Sequence, residues 1–244
     1  MMEEYAMEIK HVDIDYRTMT HSSIHQMFSK EHRMRKFEVF HAVKDACFSV
    51  KKGEILGIVG KNGSGKSTLL RAIAGIFKPD RGSIDLKNHK ISLMSIGVGF
   101  IGELSGRENI MIGGLLLGFS PDYIRKKEQE IIAYSELDEF IDKPVRTYSS
   151  GMYSKLSFAI TAFMEPEIML IDEVLSVGDA RFRQKSMDTM KNLINDRSRT
   201  VLIVSHDLGV LESMCDRILW MHNGMIRETG EPEVVLKKYK EFMK

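Results

Sequence analysis

Gly60-Lys-Asn-Gly-Ser-Gly65-Lys66-Ser67-Thr68 decides how this 244-residue chain folds. It fits the spacing G-x-x-x-x-G-K-[ST], in which main-chain N–H groups surround phosphate oxygens, a lysine reaches the terminal phosphates and a hydroxyl holds Mg²⁺. Immediately upstream, Ile55-Leu-Gly-Ile-Val59 is a short apolar run of the kind that forms a central strand covered on both faces. Downstream, Lys66 to Ala74 reads as a helix ended by Gly75. Strand, loop and helix therefore arrive in the order that a phosphate site requires. Gly60, Gly63 and Gly65 let the main chain approach an anion closely, and Asn62, Ser64 and Thr68 complete the expected cradle. The positive end of the helix starting near Lys66 points at the same place.

Two further apolar runs extend the sheet. Glu167-Ile-Met-Leu-Ile171 delivers adjacent carboxylates, Asp172 and Glu173, at its C-terminal end, the end at which ligands of open α/β sheets bind. An aspartate there positions Mg²⁺ and its waters, and a neighbouring glutamate orients or deprotonates a water attacking a γ-phosphate. Val201-Leu-Ile-Val204 presents Ser205, His206 and Asp207 on the same edge, where the imidazole of His206 would hold the γ-phosphate and the attacking water. The expected metal ligands are thus Ser67 and Asp172, and the expected catalytic groups Lys66, Glu173 and His206.

Composition narrows the possibilities. With 43% hydrophobic residues the chain can bury a sizeable core. The 35 basic and 34 acidic residues leave a net charge of +1, which gives no electrostatic reason to expect nucleic acid as a partner. No apolar stretch approaches the roughly 20 residues needed to cross a bilayer, and the N-terminus lacks the pattern of a secretory signal. The two cysteines, Cys47 and Cys215, lack the paired spacing of a disulfide framework or metal site and read as small buried apolar residues in a reducing compartment.

Tyr148-Ser149-Ser150-Gly151-Met152 is an ordinary helix start by its chemistry: a cap hydroxyl, then free N–H groups, then an apolar helix body through Leu156, Phe158, Ala159, Ile160 and Phe163. Together with the phosphate loop and the two strand ends, it makes the chain resemble the nucleotide-binding subunit of an ABC transporter, from about Glu8 to Gly230. That resemblance implies a P-loop, RecA-like α/β core sheet with an inserted α-helical signature lobe and an antiparallel β subdomain. It implies ATP and Mg²⁺ as cofactors. In the family the signature reads Leu-Ser-Gly-Gly-Gln and contacts ATP bound to the opposite subunit, so Ser149, Ser150 and Gly151 imply a homodimer. Ser176-Val-Gly-Asp179 aligns with the family loop that crosses that interface, which makes Asp179 a candidate link between the two sites. The family also stacks an aromatic ring on adenine, for which Tyr16 is the candidate and Phe40 the substitute.

The expected organisation is a single ATPase domain over residues 1–244: core and β subdomain at about 1–96 and 166–230, helical lobe at about 97–165, C-terminal helix at about 231–244. An insertion at 17–38 mixes Lys30, Arg33, Arg35 and Lys36 with Ile24, Met27, Phe28 and Met34, a pattern that suits an amphipathic element near anionic lipid head groups or the partner subunit, and equally a solvated charged loop. The loop after the strand Lys90 to Met94 departs from the family in lacking a glutamine, with Ser95-Ile-Gly-Val-Gly-Phe100 in its place. The altered signature, Glu103-Leu-Ser-Gly-Arg-Glu-Asn109 and Asp172-Glu-Val-Leu-Ser-Val-Gly-Asp179 resemble the ATPase subunits that export lipid-linked polysaccharides such as teichoic acids, O-antigens and capsules. On that reading the chain acts with a separate membrane permease, touched by Gly97 to Asn109, at the cytoplasmic face of the membrane. The alternatives are a soluble ABC-family switch on ribosomes or DNA, or the motor of a transporter for another substrate.

Overall fold

The computed structural model describes residues 4–19, 37–94, 99–172 and 179–243. In chain order its elements are β1 (Tyr5–Met19), β2 (Phe37–Lys51), β3 (Ile55–Val59), α1 (Lys66–Ile73), β4 (Arg81–Asp85) and β5 (Ile91–Met94). There follow α2 (Gly106–Leu116), α3 (Pro121–Ser135), α4 (Ser150–Phe163), β6 (Ile168–Asp172) and α5 (Ala180–Asn195). The chain closes with β7 (Thr200–Val204), α6 (Leu208–Met214), β8 (Arg217–His222), β9 (Met225–Gly230) and α7 (Pro232–Phe242).

Six strands form the central sheet in the order β5-β6-β7-β3-β8-β9. All neighbours are parallel except β8 and β9, which are antiparallel. Every residue of β3 and β7 is buried, which is why both read as unbroken apolar runs rather than alternating ones. Each fully buried Ile or Leu there contributes about 1.5–3 kcal/mol. Gly57 interrupts β3 because a Cβ would lie 2.5 Å from Ile218 Cδ1 and 2.8 Å from Cys215 Sγ. Helix α1 packs on one face of the sheet with the β1–β2–β4 layer; α5, α6 and α7 cover the other. The turn between β8 and β9 is Asn223-Gly224, with φ of 50° and 81°, the left-handed pair that a two-residue hairpin demands.

The antiparallel sheet has the order β2-β1-β4. Its first two strands are longer than the short strand patterns that the sequence shows at Met7–Ile14 and Cys47–Val50, each of which is part of a 15-residue strand. Arg17 pairs with Val39 and Thr18 with Glu38, so both ends of the expected 17–38 insertion are strand, while residues 20–36, with their four basic side chains, lie outside the described residues. Cys47 is a second correction. It is exposed, whereas Cys215 is buried, and burial pushes the Cys215 thiol up to about 12.

The helical lobe has its own core of Ile110, Ile124, Ile131, Leu156, Ala159, Ile160 and Met164. Its helices start where side-chain caps allow. Ser105 and Glu108 form a reciprocal capping box on α2, and Ser120 with Pro121 opens α3. Asn109 is fully buried: its side chain accepts from Ile101 N at 2.8 Å and donates to Ile101 O at 3.1 Å, Leu104 O at 3.3 Å and Ser105 O at 2.8 Å. Of the stretch expected to touch a permease, Ile101, Glu103 and Glu108 are exposed, and Asn109 instead staples the segment from inside.

Candidate active site

The turn after β3 lays main-chain atoms around an open cleft. Asn62, Gly63, Gly65, Lys66, Ser67, Thr68, Asp172, Val204 and His206 line it, enclosing about 270 Å³. Gly65 has φ 100° and precedes α1 as its N-cap without a side chain, which leaves the first N–H groups of that helix aimed outward. A Cβ on Gly65 would lie 2.3 Å from Ala42 O, and one on Gly60 would lie 2.4 Å from Met221 O. Backbone from β2 and β8 thus presses on the loop, and only glycine fits at those two positions.

Lys66 is buried, and its ammonium donates to Gly60 O at 2.8 Å and Lys61 O at 3.1 Å. Ser67 Oγ donates to Asp172 Oδ1 at 3.0 Å across 105 residues of sequence, the arrangement expected of two ligands for one magnesium ion. Among the described residues, Ser64 Oγ is buried without a hydrogen-bond partner. A cradle closed to a Cβ at Gly60 and Gly65, an ammonium, a hydroxyl–carboxylate pair and helix-end N–H groups fit a nucleotide phosphate with Mg²⁺.

Asp172 ends β6 and His206 follows β7, so the parallel sheet brings both to the cleft from separate strands. Glu173, the expected general base, lies outside the described residues, as do Ser95 and Ser176. Tyr16 and Phe40 are direct cross-strand partners, both exposed, so the two alternatives for the adenine contact sit side by side on one face. The Tyr16 hydroxyl reaches Thr68 Oγ1 at 3.4 Å, which ties that face to the phosphate loop.

The signature residues are placed elsewhere. Ser149 caps α4 by accepting from Met152 N at 3.2 Å, and both Ser149 and Ser150 are exposed. None of Ser149, Ser150 and Gly151 lines the cleft around Lys66. Asp179 caps α5, accepting from Phe182 N at 2.9 Å, and pairs with Lys155 of α4 at 3.0 Å. The Phe182 N–H and then the Lys155 ammonium hold its carboxyl down at about 2. Lys155 also pairs with Glu136, which Lys185 of α5 shares, so this cluster joins the signature helix to α5 within one chain.

Sequence reasoning missed one contributor, the β8–β9 turn. Gly224 N donates to Ser64 O at 3.2 Å and Gly224 O accepts from Lys44 N at 2.8 Å, bracing the loop against β2. The Asn-Gly pair announces the turn, but nothing in the sequence gives its docking place.

Residues 43–176 match the family model described as ABC transporter. The chain is 43% identical over 207 residues to an O-antigen export system ATP-binding protein, RfbB, of Myxococcus xanthus, covering 85% of this chain but 47% of that protein. It is 40% identical over 246 residues to a teichoic acids export ATP-binding protein, TagH, of Listeria monocytogenes, covering 100% of this chain and 72% of that protein. Among solved structures, the ATP-binding subunit of an ABC transporter superposes with a TM-score of 0.73 at 20% identity, over 96% of this chain and 93% of that one, a likeness of fold. Phosphate loop, carboxylate pair, capped signature helix and these relatives agree: the chain belongs to the ABC transporter family.

Proposed function

We propose that this chain is the ATP-hydrolysing subunit of an exporter of lipid-linked polysaccharide, working as a pair of copies beside a separate membrane permease. The observation that carries the paired arrangement is the exposed signature: Ser149 and Ser150 stand at an outward helix start while the phosphate cleft of the same chain is lined without them. Two copies facing each other would let Ser149, Ser150 and Gly151 of one meet the nucleotide held by Lys66 of the other. The export branch rests on relatives named for O-antigen and teichoic-acid export. Among the described residues no helix is long and apolar enough to cross a membrane, which suits a peripheral subunit at the cytoplasmic face.

Within one site the division of labour follows from position. Lys66 exchanges its carbonyl partners for β- and γ-phosphate oxygens, and the N–H groups of Gly63 to Thr68 take the remaining charge. Ser67 and Asp172 would hold a magnesium ion, which would supply positive charge to offset the charge developing on the phosphates. His206, on the neighbouring strand, orients the attacking water and the γ-phosphate. Glu173 accepts the water's proton, as the residue that follows Asp172 in the chain. Tyr16, with Phe40 beside it, covers the base, a contact worth about 1–3 kcal/mol. Asp179 ties α5 to the signature helix of its own chain, so that the signature offered to the partner's nucleotide and α5, which follows the carboxylate strand, move together.

Glu173→Gln tests the reading. The variant should retain ATP binding, lose turnover and elute as a dimer in ATP but as a monomer without it. Normal hydrolysis would remove Glu173 as the base, and a monomer at saturating ATP would remove the paired site. Recovery of the wild type from membranes with ribosomes, and without an integral membrane partner, would overturn the export role.

A further inference from the structure

We propose that His11, Asp45 and Cys47 form a transition-metal site, taking Zn²⁺ or a similarly thiophilic divalent ion, on the outer face of the β1–β2–β4 sheet. All three are exposed, on the outer side of the β1–β2 pair. Val12 pairs with Ala46 and both are fully buried, so His11 beside the one and Asp45 and Cys47 flanking the other face outward. His11 Nδ1 lies 2.7 Å from Asp45 Oδ1 and 3.4 Å from Cys47 Sγ, and Cys47 Sγ lies 4.0 Å from Asp45 Oδ1. Zinc bonds of about 2.0–2.3 Å at tetrahedral angles separate such donors by about 3.4–3.6 Å. Each pair is therefore within about 0.7 Å of a coordinating triangle, a gap that side-chain rotation closes.

The backbone that presents them is built for this placement. Pairing shifts register on either side of Val12, and His11 and Asp45 take left-handed φ of 51° and 48°. Bulges of this kind re-aim side chains. The His11 bulge is held from behind by β4, where a Cβ on Gly82 would lie 2.2 Å from His11 O. The Asp45 bulge is held by its N–H, which donates to Asp13 Oδ1 at 2.7 Å. The His11 N–H points at Cys47 Sγ from 3.1 Å, a donor suited to support a thiolate. Imidazole, thiolate and one carboxylate select zinc-like ions over magnesium, and none of the three residues lines the phosphate cleft. Three protein ligands on an exposed face leave a fourth position to water or to a partner's side chain. On binding, the Cys47 thiol gives its proton to solvent.

Cobalt titration of the purified, nucleotide-free chain tests the site. The wild type should bind one Co²⁺ with a thiolate-to-metal absorption band that Zn²⁺ abolishes on addition. Cys47→Ser should remove the band, and Cys215→Ala should leave it unchanged. His11→Ala should weaken binding more than about tenfold, since losing even an outer-shell partner of a metal ligand costs that much. All three variants should keep wild-type ATPase rates, which shows that they fold. A wild type without the band, a band that survives Cys47→Ser, or zinc affinity undiminished in the His11→Ala/Cys47→Ser double variant would overturn the proposal.

Discussion

Gly65→Ala is the sharpest perturbation of the phosphate loop. At φ 100° an alanine is held outside the conformations open to L residues, a strain of about 1–2 kcal/mol. Its methyl would also lie 2.3 Å from Ala42 O, a backbone atom that cannot rotate away, so β2 or the start of α1 must shift. Forced packing of this kind adds about 1–3 kcal/mol, for a total of about 2–5 kcal/mol. Gly63 is the internal control, because its φ of 78° carries the same conformational strain while a Cβ there meets none of the described residues within 4 Å. Gly63→Ala should therefore cost only about 1–2 kcal/mol. Equilibrium urea unfolding of the nucleotide-free protein measures both. Displacing the helix start by about 1 Å should also lower the ATPase rate of Gly65→Ala by about 100-fold. Equal destabilisation by the two substitutions would refute the argument that Ala42 presses on the loop.

Three other outcomes follow from particular contacts. Asn109→Ala removes the hydrogen bond that this fully buried side chain accepts from Ile101 N, together with those it donates to Leu104 O and Ser105 O, and should cost about 1–3 kcal/mol in urea unfolding, with the ATPase rate in the absence of permease little changed. Asp179 has its carboxyl depressed from 3.8 to about 2, so it stabilises the fold above the unfolded value and that contribution is lost as pH falls through the folded one. The stability gap between wild type and Asp179→Asn should then be full at neutral pH, shrink from about pH 4 to about pH 2 and narrow with added salt, as thermal melts across that range would record. A thiol reagent should titrate one cysteine in the native protein, the exposed Cys47, and a second only after denaturation frees Cys215.

What the sequence discloses here is mostly local. The phosphate loop is legible because strand, turn and helix are contiguous, and the Asn223-Gly224 turn because its backbone geometry admits few residues. Helix α4 is legible because Ser149 can cap it and its apolar spacing is helical. Strand lengths are not, because Arg17 and Val39 are strand only by virtue of each other, and that partnership lies outside any short window. Cys47 misleads for a related reason. Its neighbour Ala46 is buried, but the bulges at His11 and Asp45 depend on long-range register, which composition does not carry. The pairing of Ser67 with Asp172 is predicted by chemistry, whereas the bracing of Ser64 by Gly224 comes only from how the hairpin packs.

That bracing bears on mutational tolerance. The loop is confined by Ala42 O, Met221 O and the N–H of Gly224, and the turn is tied to Lys44 N, all of them peptide atoms. Peptide atoms are the same whatever side chain they carry. Ala42 and Lys44 can therefore drift among residues that keep the strand, and the phosphate cradle will hold its shape. The glycines facing them cannot drift, so a saturation library across this region should show intolerant loop positions surrounded by permissive neighbours that touch them.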